Sequence, residues 1–346
     1  MKKKIAVIGA GASGYATAAF LSMKGEDVIL CDEKEEFGEE FDIIQTKGLL
    51  IQGPEFYNQY VPVKVTGYIS HAMEAEVIFV CVSALRQEKI ANWMKPYVKI
   101  KHCIFIMPGN LGALCFYRLF KDEGIEYNIL AEISECFWAC RKIGLGKVVS
   151  ALPLSEKKVN SVPNEKTKEA VTLLKQWFPV VQGNHVIENM LNSPNVLTHL
   201  SGTILNIGEI ERRKHNYALF LDGLNNIYLD CLEILENERK KVLDAYDMMS
   251  YGVPMRAFFE KIEEENQTDL WRCFKTLSGP DGINHRYVTE DAMCGVALLV
   301  SMGKKRQICI PVTEALLILA SAFSKNDYVM TGRTVEWIGE DWNLLI

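Results

Sequence analysis

Six residues near the start of the chain, GAGASG at positions 9–14, have the spacing of a site for the pyrophosphate of a dinucleotide. They follow an apolar run typical of a buried strand and precede a stretch typical of a helix. A first glycine allows a tight turn, a second lets a phosphate approach the backbone, and a third lets the helix pack closely. The pattern predicts a dinucleotide site with the cofactor-binding residues Gly9, Gly11, Ser13 and Gly14.

An acidic residue, Asp32, ends the next apolar run and stands 23 residues after Gly9. A carboxylate at this place can accept hydrogen bonds from both hydroxyl groups of the adenosine ribose, and it repels a 2′-phosphate. The sequence therefore favours NAD(H) over NADP(H), although the neighbouring Lys34 leaves NADP(H) open. FAD uses the same fingerprint and is the other alternative at this point.

One of the six histidines, His199, has a position that suits acid–base chemistry. It follows Asn195, where β-rich sequence gives way to helical sequence, and this junction faces the cofactor cleft in two-domain dehydrogenases. An imidazole there can donate a proton to the substrate, or accept one, beside the atom that receives hydride.

A second group of polar residues, HRYVTED at positions 285–291, follows a turn that contains Gly279, Pro280 and Gly282. It combines a histidine, an arginine and two acids directly before an apolar helix predicted over residues 295–302. The residue types alone favour a solvated helix N-terminus with Thr289 as its cap.

The elements that position these residues change in character along the chain. Apolar β-rich runs alternate with helical stretches in the first half, which predicts a parallel sheet covered by helices on both faces. Strands are predicted at residues 5–8, 28–31, 77–82 and 103–107, with short ones at 49–52, 128–132, 148–154 and 180–183. Helices are predicted at residues 15–24, 87–97 and 164–177.

The second half is predicted to be helical. Apolar residues recur every three or four positions, as on one face of a long helix, at Phe220, Leu224, Ile227, Cys231 and Leu235. The predicted fold class is therefore α/β. A Rossmann-type dinucleotide-binding domain occupies residues 1–188, and an all-α C-terminal catalytic and substrate domain follows at residues 189–346.

The composition excludes several classes of protein. The 346 residues are 49% hydrophobic and 24% charged with a formal net charge of −6, so the chain is globular and no nucleic-acid partner is expected. No window is apolar enough to span a bilayer. The ten cysteines form no CxxC pair, which predicts reduced thiols in a cytoplasmic protein without a metal site.

Further motifs occur across nearly the whole chain at residues 107–110, 131–132, 139–141, 195–199, 206–211, 285–291 and 332–336. With these motifs, in this order, the chain resembles the opine dehydrogenase family, the NAD(P)-dependent enzymes of the octopine/nopaline type. The HRYVTED segment is the most specific of them. The glycine fingerprint is shared with many dehydrogenases and adds little.

The resemblance implies a reaction and a set of roles. Such enzymes join the amine of an amino acid to the carbonyl of a 2-oxo acid and reduce the resulting imine with hydride from a nicotinamide. His199 matches the family's catalytic histidine, Asp291 the carboxylate that holds and polarises it, and Arg286 the arginine that grips the dinucleotide phosphates. Substrate contacts are expected from Asn110, Ser134 and Asn195.

Three departures from the family's pattern leave the amino acid unidentified. Leu200 stands where a proline is common, Asn110 where a glutamine is common, and Ile133 precedes Ser134 where threonine or serine is common. The catalytic pair itself matches the pattern.

Two other functions stay open from the sequence. One is a two-domain reductase that acts on a plain 2-oxo acid, similar to ketopantoate reductase, although such enzymes rely on lysine and glutamate rather than histidine. The other is a non-catalytic NAD-binding sensor. The sequence allows a homodimer without requiring one.

Overall fold

A computed structural model describes residues 2–53, 56, 58–152, 154–264 and 269–346 of the chain. The chain divides into two compact units, Met1–Val186 and Ile187–Ile346. Every strand in the described ranges belongs to the first unit, and the second unit is helical. The predicted fold class, an α/β region followed by an all-α region, is confirmed. The assignment of functions to residues 1–188 and 189–346 stays a prediction.

The first unit contains twelve strands among its described residues. They are β1 (Lys4–Ile8), β2 (Asp27–Cys31), β3 (Leu49–Gln52), β4 (Gln59–Val61), β5 (Lys64–Thr66), β6 (Val77–Val80), β7 (Cys103–Ile106), β8 (Ile129–Ile133), β9 (Cys140–Gly144), β10 (Lys147–Ser150), β11 (Lys157–Ser161) and β12 (Val180–Gln182). Its helices are α1 (Ala12–Met23), α2 (Lys34–Phe37), α3 (Glu40–Lys47), α4 (Ile69–Ala72), α5 (Ala84–Met94), α6 (Gly112–Asp122) and α7 (Thr167–Leu174).

Eight of the described strands form one sheet in the order β12-β11-β8-β7-β6-β1-β2-β5. Neighbouring strands run parallel except β8 and β11, which are antiparallel. The central strands β6 and β7 are buried along their whole length, as is β1 after Lys4. Strands covered on both faces need continuous apolar sequence, and this explains why β1, β6 and β7 were predictable.

The remaining strands form a second sheet in the order β4-β3-β10-β9 among the described residues. Here the sequence prediction was less accurate. The strand predicted at 148–154 ends at Ser150, and residue 153 lies outside the described residues. In the first sheet, β11 has the sequence KKVNS and was not predicted, because it lacks an apolar run.

The second unit is built from short and medium helices. They are α8 (Val186–Leu191), α9 (Pro194–Leu205), α10 (Ile207–Arg213), α11 (Leu219–Asp222), α12 (Asn226–Asp244), α13 (Met255–Glu264), α14 (Asp269–Lys275), α15 (Arg286–Asp291), α16 (Ala297–Lys305), α17 (Pro311–Ser324), α18 (Tyr328–Thr331) and α19 (Val335–Ile338). No helix in the described part of the chain is both long and apolar enough to cross a membrane.

The long helix predicted through Phe220 and Leu235 begins later than expected. α12 starts at Asn226, because Asn225 caps it by accepting a hydrogen bond from the Tyr228 N–H at 3.0 Å. Phe220 lies on the separate helix α11. The predicted apolar face was wrong in part. Leu235 is buried as predicted, but Ile227 is 80% exposed, and the other buried positions include Tyr228, Leu232 and Val242.

The helix that contains HRYVTED continues into the next one through a π-helical turn. α15 ends at Asp291, the π turn covers Ala292–Val296, and α16 follows directly. The predicted cap Thr289 was wrong. The N-cap is His285, whose Nδ1 accepts a hydrogen bond from the Tyr287 N–H at 3.2 Å, so the helix begins four residues earlier than Thr289 would place it.

Candidate active site

The glycine-rich loop lies between β1 and α1, where the sequence predicted it. Gly9 has φ of +116°, and a Cβ atom there would lie 2.4 Å from the Cys81 carbonyl oxygen. A Cβ atom on Gly14 would lie 1.8 Å from the Gly9 carbonyl oxygen. The turn and the close packing of α1 therefore both require glycine, for the reasons that the fingerprint predicts.

Gly11 differs from its two neighbours in the motif. Apart from its two neighbours in the chain, no described residue places an atom within 4 Å of a Cβ built at Gly11. Gly11 is also the N-cap of α1, and no described side chain caps this helix. Uncapped N–H groups, the positive end of the helix dipole and open space suit a phosphate group. The loop therefore fits a dinucleotide.

Ser13 lies in the first turn of α1. Its hydroxyl group is 3.1 Å from Cys136 Sγ, and its carbonyl oxygen accepts a hydrogen bond from the Thr17 hydroxyl group at 2.7 Å. Ser13 is thus placed in the helix turn that would face a phosphate. Its contact with a dinucleotide stays a prediction.

Asp32 lies just after β2 and is 1% exposed. Its Oδ2 accepts a hydrogen bond from the Ala10 N–H at 2.7 Å, so the carboxylate is tied to the glycine loop itself. Its Oδ1 accepts from the Glu33 N–H at 2.9 Å. The structure thus places Asp32 beside the loop, as predicted, and its hydrogen bond to a ribose stays a prediction.

Arg86 is a residue of this site that the sequence reasoning missed. Its Nη2 donates to Asp32 Oδ1 at 2.7 Å and its Nη1 donates to Asp32 Oδ2 at 3.2 Å, a bidentate pair. Arg86 lies on α5, which follows β6, and β6 is the neighbour of β1 in the sheet. The available signal was a cation in the first turn of the helix that follows a neighbouring strand, but this signal can be interpreted only once the strand order is known.

In the second unit, His199 and Asp291 are in contact although 92 residues separate them in the chain. His199 lies in the middle of α9 and Asp291 at the end of α15. The distance from His199 Nδ1 to Asp291 Oδ2 is 3.0 Å, and both side chains are largely buried, at 6% and 12% exposure. The two predicted catalytic residues therefore form one hydrogen-bonded pair.

Burial raises the pKa of Asp291 to about 8, while the nearby Arg286 acts in the opposite direction. A carboxyl group in so dry a position keeps a proton more readily than one in water. The proton belongs to the pair, since Nδ1 and Oδ2 are within hydrogen-bond distance of each other. The pair can therefore hold one proton at neutral pH and exchange it through the imidazole.

Tyr287 fixes the imidazole from another direction and was not singled out by the sequence reasoning. Its ring stacks on the His199 ring with centroids 3.5 Å apart and planes 10° apart. Tyr287 is 2% exposed, and His285 contacts it edge-on with centroids 4.7 Å apart. The HRYVTED segment therefore supplies two of the groups that hold His199, one through a carboxylate and one through a ring face.

Arg286 is the first residue of α15 and is 42% exposed. Its Nη1 lies 3.8 Å from Glu290 Oε2, and its guanidinium carbon lies 5.3 Å from the centre of the Tyr287 ring. It lines an open cavity of about 650 Å³, together with residues 281–285, Glu211 and Lys214. This position leaves the guanidinium accessible to a ligand.

The predicted substrate residues lie at the ends of elements. Asn110 follows β7 and has a left-handed backbone with φ of +53°, and Ser134 follows β8. The two strand ends are joined by a hydrogen bond from the Gly109 N–H to the Ile133 carbonyl at 2.9 Å. Asn195 lies in the first turn of α9, in the second unit. Their contacts with substrate stay predictions.

The Ala131–Glu132 motif has a structural role that the sequence did not reveal. Glu132 is 4% exposed, and its Oε2 accepts a hydrogen bond from the Ala113 N–H at 3.1 Å, in the first turn of α6. A Cβ atom on Gly109 would lie 2.5 Å from Glu132 Cδ. The motifs at 107–110 and 131–132 therefore fit each other and fix the entry to α6.

The motif at residues 332–336 supports the helix that contains Asp291. The Arg333 N–H donates to the carbonyl oxygen of Met293, in the π turn, at 2.8 Å. A Cβ atom on Gly332 would lie 2.5 Å from Ala297 Cβ. The C-terminal motif thus packs against the turn that directly follows Asp291.

Known proteins similar to this chain were found by family model and by sequence. Residues 182–324 match the family described as the alpha-helical domain of NAD/NADP octopine/nopaline dehydrogenase, and residues 5–126 match ketopantoate reductase PanE/ApbA. The chain is 26% identical over 351 residues to an opine dehydrogenase of Arthrobacter sp., covering 97% of this chain and 95% of that protein. It is 22% identical to a vitopine synthase of Allorhizobium ampelinum, covering 96% and 94%.

A solved structure of octopine dehydrogenase with NADH and L-arginine has a similar fold. The TM-score is 0.73 at 20% identity, and the match covers 98% of this chain and 96% of that one. The resemblance found from the sequence motifs is confirmed by these comparisons.

Proposed function

We propose that the chain is a member of the opine dehydrogenase family and that it catalyses the reductive condensation of an amino acid with a 2-oxo acid, using NAD(H). The product is a secondary-amine dicarboxylate, and the reaction is reversible. The observation that carries this proposal is the buried His199–Asp291 pair, whose Nδ1 and Oδ2 lie 3.0 Å apart.

The proposed mechanism assigns a proton transfer to the pair. The nicotinamide ring supplies the hydride when the dinucleotide is bound. Asp291 holds His199 through Nδ1, and Tyr287 holds the ring plane by stacking on it. The other ring nitrogen, Nε2, then gives a proton to the nitrogen of the substrate as the C=N bond is reduced. In the oxidative direction the same atom takes the proton back.

The substrates divide between the two units in this proposal. Residues 1–188 bind the dinucleotide through Gly9, Gly11, Ser13, Gly14 and Asp32, with NAD(H) preferred over NADP(H). Residues 189–346 supply the catalytic pair. The amino acid or the 2-oxo acid is contacted by Asn110, Ser134 and Asn195. Whether the protein forms a homodimer stays a prediction.

The experiment that tests the function is NADH oxidation over a grid of amino acids and 2-oxo acids. The proposal expects rapid oxidation only when both substrates are present, with a secondary amine as the product by mass spectrometry. Oxidation with a 2-oxo acid alone, at the same rate as with both, would instead establish the ketopantoate-reductase type. That second candidate is favoured by the match of residues 5–126. If NADH is oxidised with none of the substrate combinations, the remaining hypothesis is a non-catalytic NAD-binding sensor.

Arg286→Ala should weaken the binding of NADH by roughly tenfold to a hundredfold, because it removes a bidentate partner for a phosphate. The fold should survive, since the side chain is 42% exposed. Fluorescence titration with NADH measures the effect. Arg286→Lys keeps the positive charge but loses the bidentate guanidinium group, so its dissociation constant should lie between those of the unmodified protein and Arg286→Ala. An unchanged dissociation constant in Arg286→Ala would remove Arg286 from the dinucleotide site.

The rate of imine reduction should fall as pH rises through about 8. Burial raises the pKa of Asp291 to about 8, so the pair keeps its proton up to that pH, and reduction consumes this proton. In Asp291→Asn the falling limb should move to lower pH, because the amide cannot keep the proton that the carboxyl group of Asp291 holds in the pair. The pH profile of kcat/KM for the 2-oxo acid at saturating NADH measures the falling limb in the unmodified protein and in Asp291→Asn. Opine oxidation should show the opposite trend, and a limb that stays in place in Asp291→Asn would contradict the coupling.

A further inference from the structure

The carboxylate of Asp32 has no acceptor capacity to spare. A carboxylate offers about four positions for hydrogen-bond donors. In Asp32 these are taken by the Ala10 N–H, the Glu33 N–H and two guanidinium nitrogens of Arg86, at 2.7 to 3.2 Å. A ribose hydroxyl group can therefore bond to this carboxylate only by sharing or replacing one of these donors.

Arg86 stands between Asp32 and solvent. Its side chain is 26% exposed, whereas that of Asp32 is 1% exposed. Its Nη2 also lies 3.6 Å from both Glu33 Oε2 and Glu36 Oε1, and Lys89 pairs with Glu33. The group therefore contains three carboxylates and two cations. It lies at the carboxyl end of β2, which is where the 2′ position of the adenosine ribose binds in this kind of sheet.

We propose that Arg86 is a specificity-determining residue for the dinucleotide. By neutralising Asp32 it lowers the electrostatic penalty for a 2′-phosphate, and Glu33 and Glu36 compete with that phosphate for its guanidinium. NADP(H) is then a usable second ligand and NAD(H) the preferred one. The inference rests on the dinucleotide binding of the proposed function and on none of its chemistry.

The balance between the carboxylates and a phosphate follows from their exposure. The side chain of Glu36 is 44% exposed and 3.6 Å from Arg86, and an exposed pair of this kind is weak. A phosphate accepts two parallel hydrogen bonds from a guanidinium group and carries more charge than a carboxylate. It can therefore displace Glu36 but not the buried Asp32, so Arg86 can hold Asp32 and meet the phosphate together.

The test is a pair of fluorescence titrations, with NADH and with NADPH, and no other substrate present. The measured quantity is the ratio of the two dissociation constants. The unmodified protein should bind NADH more tightly. Glu36→Gln should shift the ratio toward NADPH by about threefold to tenfold, and Arg86→Met should shift it toward NADH by about tenfold. Lys95→Gln, which removes a cation paired with Glu123 just after α5, is the matched control and should leave the ratio unchanged.

Glu36→Gln decides the matter even if Arg86→Met does not fold, because Glu36 lies on the surface and makes no hydrogen bond to Asp32 in the described structure. A ratio that stays within twofold in Glu36→Gln would overturn the proposal, as would an equal loss of both affinities in a folded Arg86→Met. If the unmodified protein binds neither dinucleotide, the proposed function fails with it. If the ratio shifts as expected while the substrate grid shows no turnover, only the proposed reaction fails.

Discussion

His199→Ala should lower the turnover of NADH oxidation by on the order of 10²–10⁴-fold, the usual contribution of a positioned proton donor. Asp291→Ala should also lower it steeply, since His199 then loses the partner of its Nδ1. If the two residues act as one unit, the double variant should be little worse than the more damaged single one. Steady-state kinetics with the best substrate pair from the grid measures all three.

The control for this experiment is the affinity for NADH. Neither residue is assigned to the dinucleotide, so both single variants should keep the dissociation constant of the unmodified protein. His199 is 5% exposed, so His199→Ala also leaves a cavity. His199→Gln keeps a polar side chain of similar length, and its activity therefore shows how much of the loss comes from the missing imidazole rather than from the cavity. Additive losses in the double variant would show that His199 and Asp291 act independently. Full activity in either single variant would show that the replaced residue takes no part in the reaction.

Gly11→Ala and Gly14→Ala should both abolish tight NADH binding, but for different physical reasons. A methyl group at Gly14 would lie 1.8 Å from the Gly9 carbonyl oxygen, so the loop and α1 must move apart. Overpacking of this kind typically costs about 1–3 kcal/mol of stability or more. A methyl group at Gly11 meets open space, so the fold should be unaffected.

Thermal unfolding in the absence of ligand separates these two cases. The melting temperature should fall in Gly14→Ala and stay within a degree or two in Gly11→Ala. The NADH dissociation constant should rise on the order of a hundredfold in Gly11→Ala, because the methyl group occupies the place of a phosphate. Tight NADH binding by Gly11→Ala would mean that the dinucleotide does not approach the loop as proposed.

The parts of the fold that could be predicted from the sequence are those determined by residues that are close together in the chain. The glycine fingerprint needs a strand, a turn and a helix that are contiguous in the chain, and the buried strands need apolar residues on both faces. α12 shows the limit of periodicity. Its apolar pattern continues backward to Phe220, but Asn225 caps the helix, and tertiary packing buries Tyr228 rather than Ile227.

The site was predictable only where the resemblance supplied long-range information. No periodicity connects His199 with Asp291, because the contact depends on how α9 packs beside α15. Arg86 was missed for the same reason: its contact with Asp32 depends on the order of β6, β1 and β2 in the sheet. Tyr287 was within a motif already identified, but its stacking on His199 depends on a ring orientation that residue types do not specify.

The π turn at Ala292–Val296 is equivalent to a one-residue insertion in an otherwise continuous helix. One extra residue rotates everything before it by about 100° relative to a regular helix, since an α-helix has 3.6 residues per turn. α15 can therefore turn Asp291 and Tyr287 toward His199 while α16 keeps its own apolar face on the core. Deleting a single residue here would rotate α15 relative to α16 about the helix axis. Both helices would keep their residues, but the carboxylate of Asp291 would point away from the imidazole of His199.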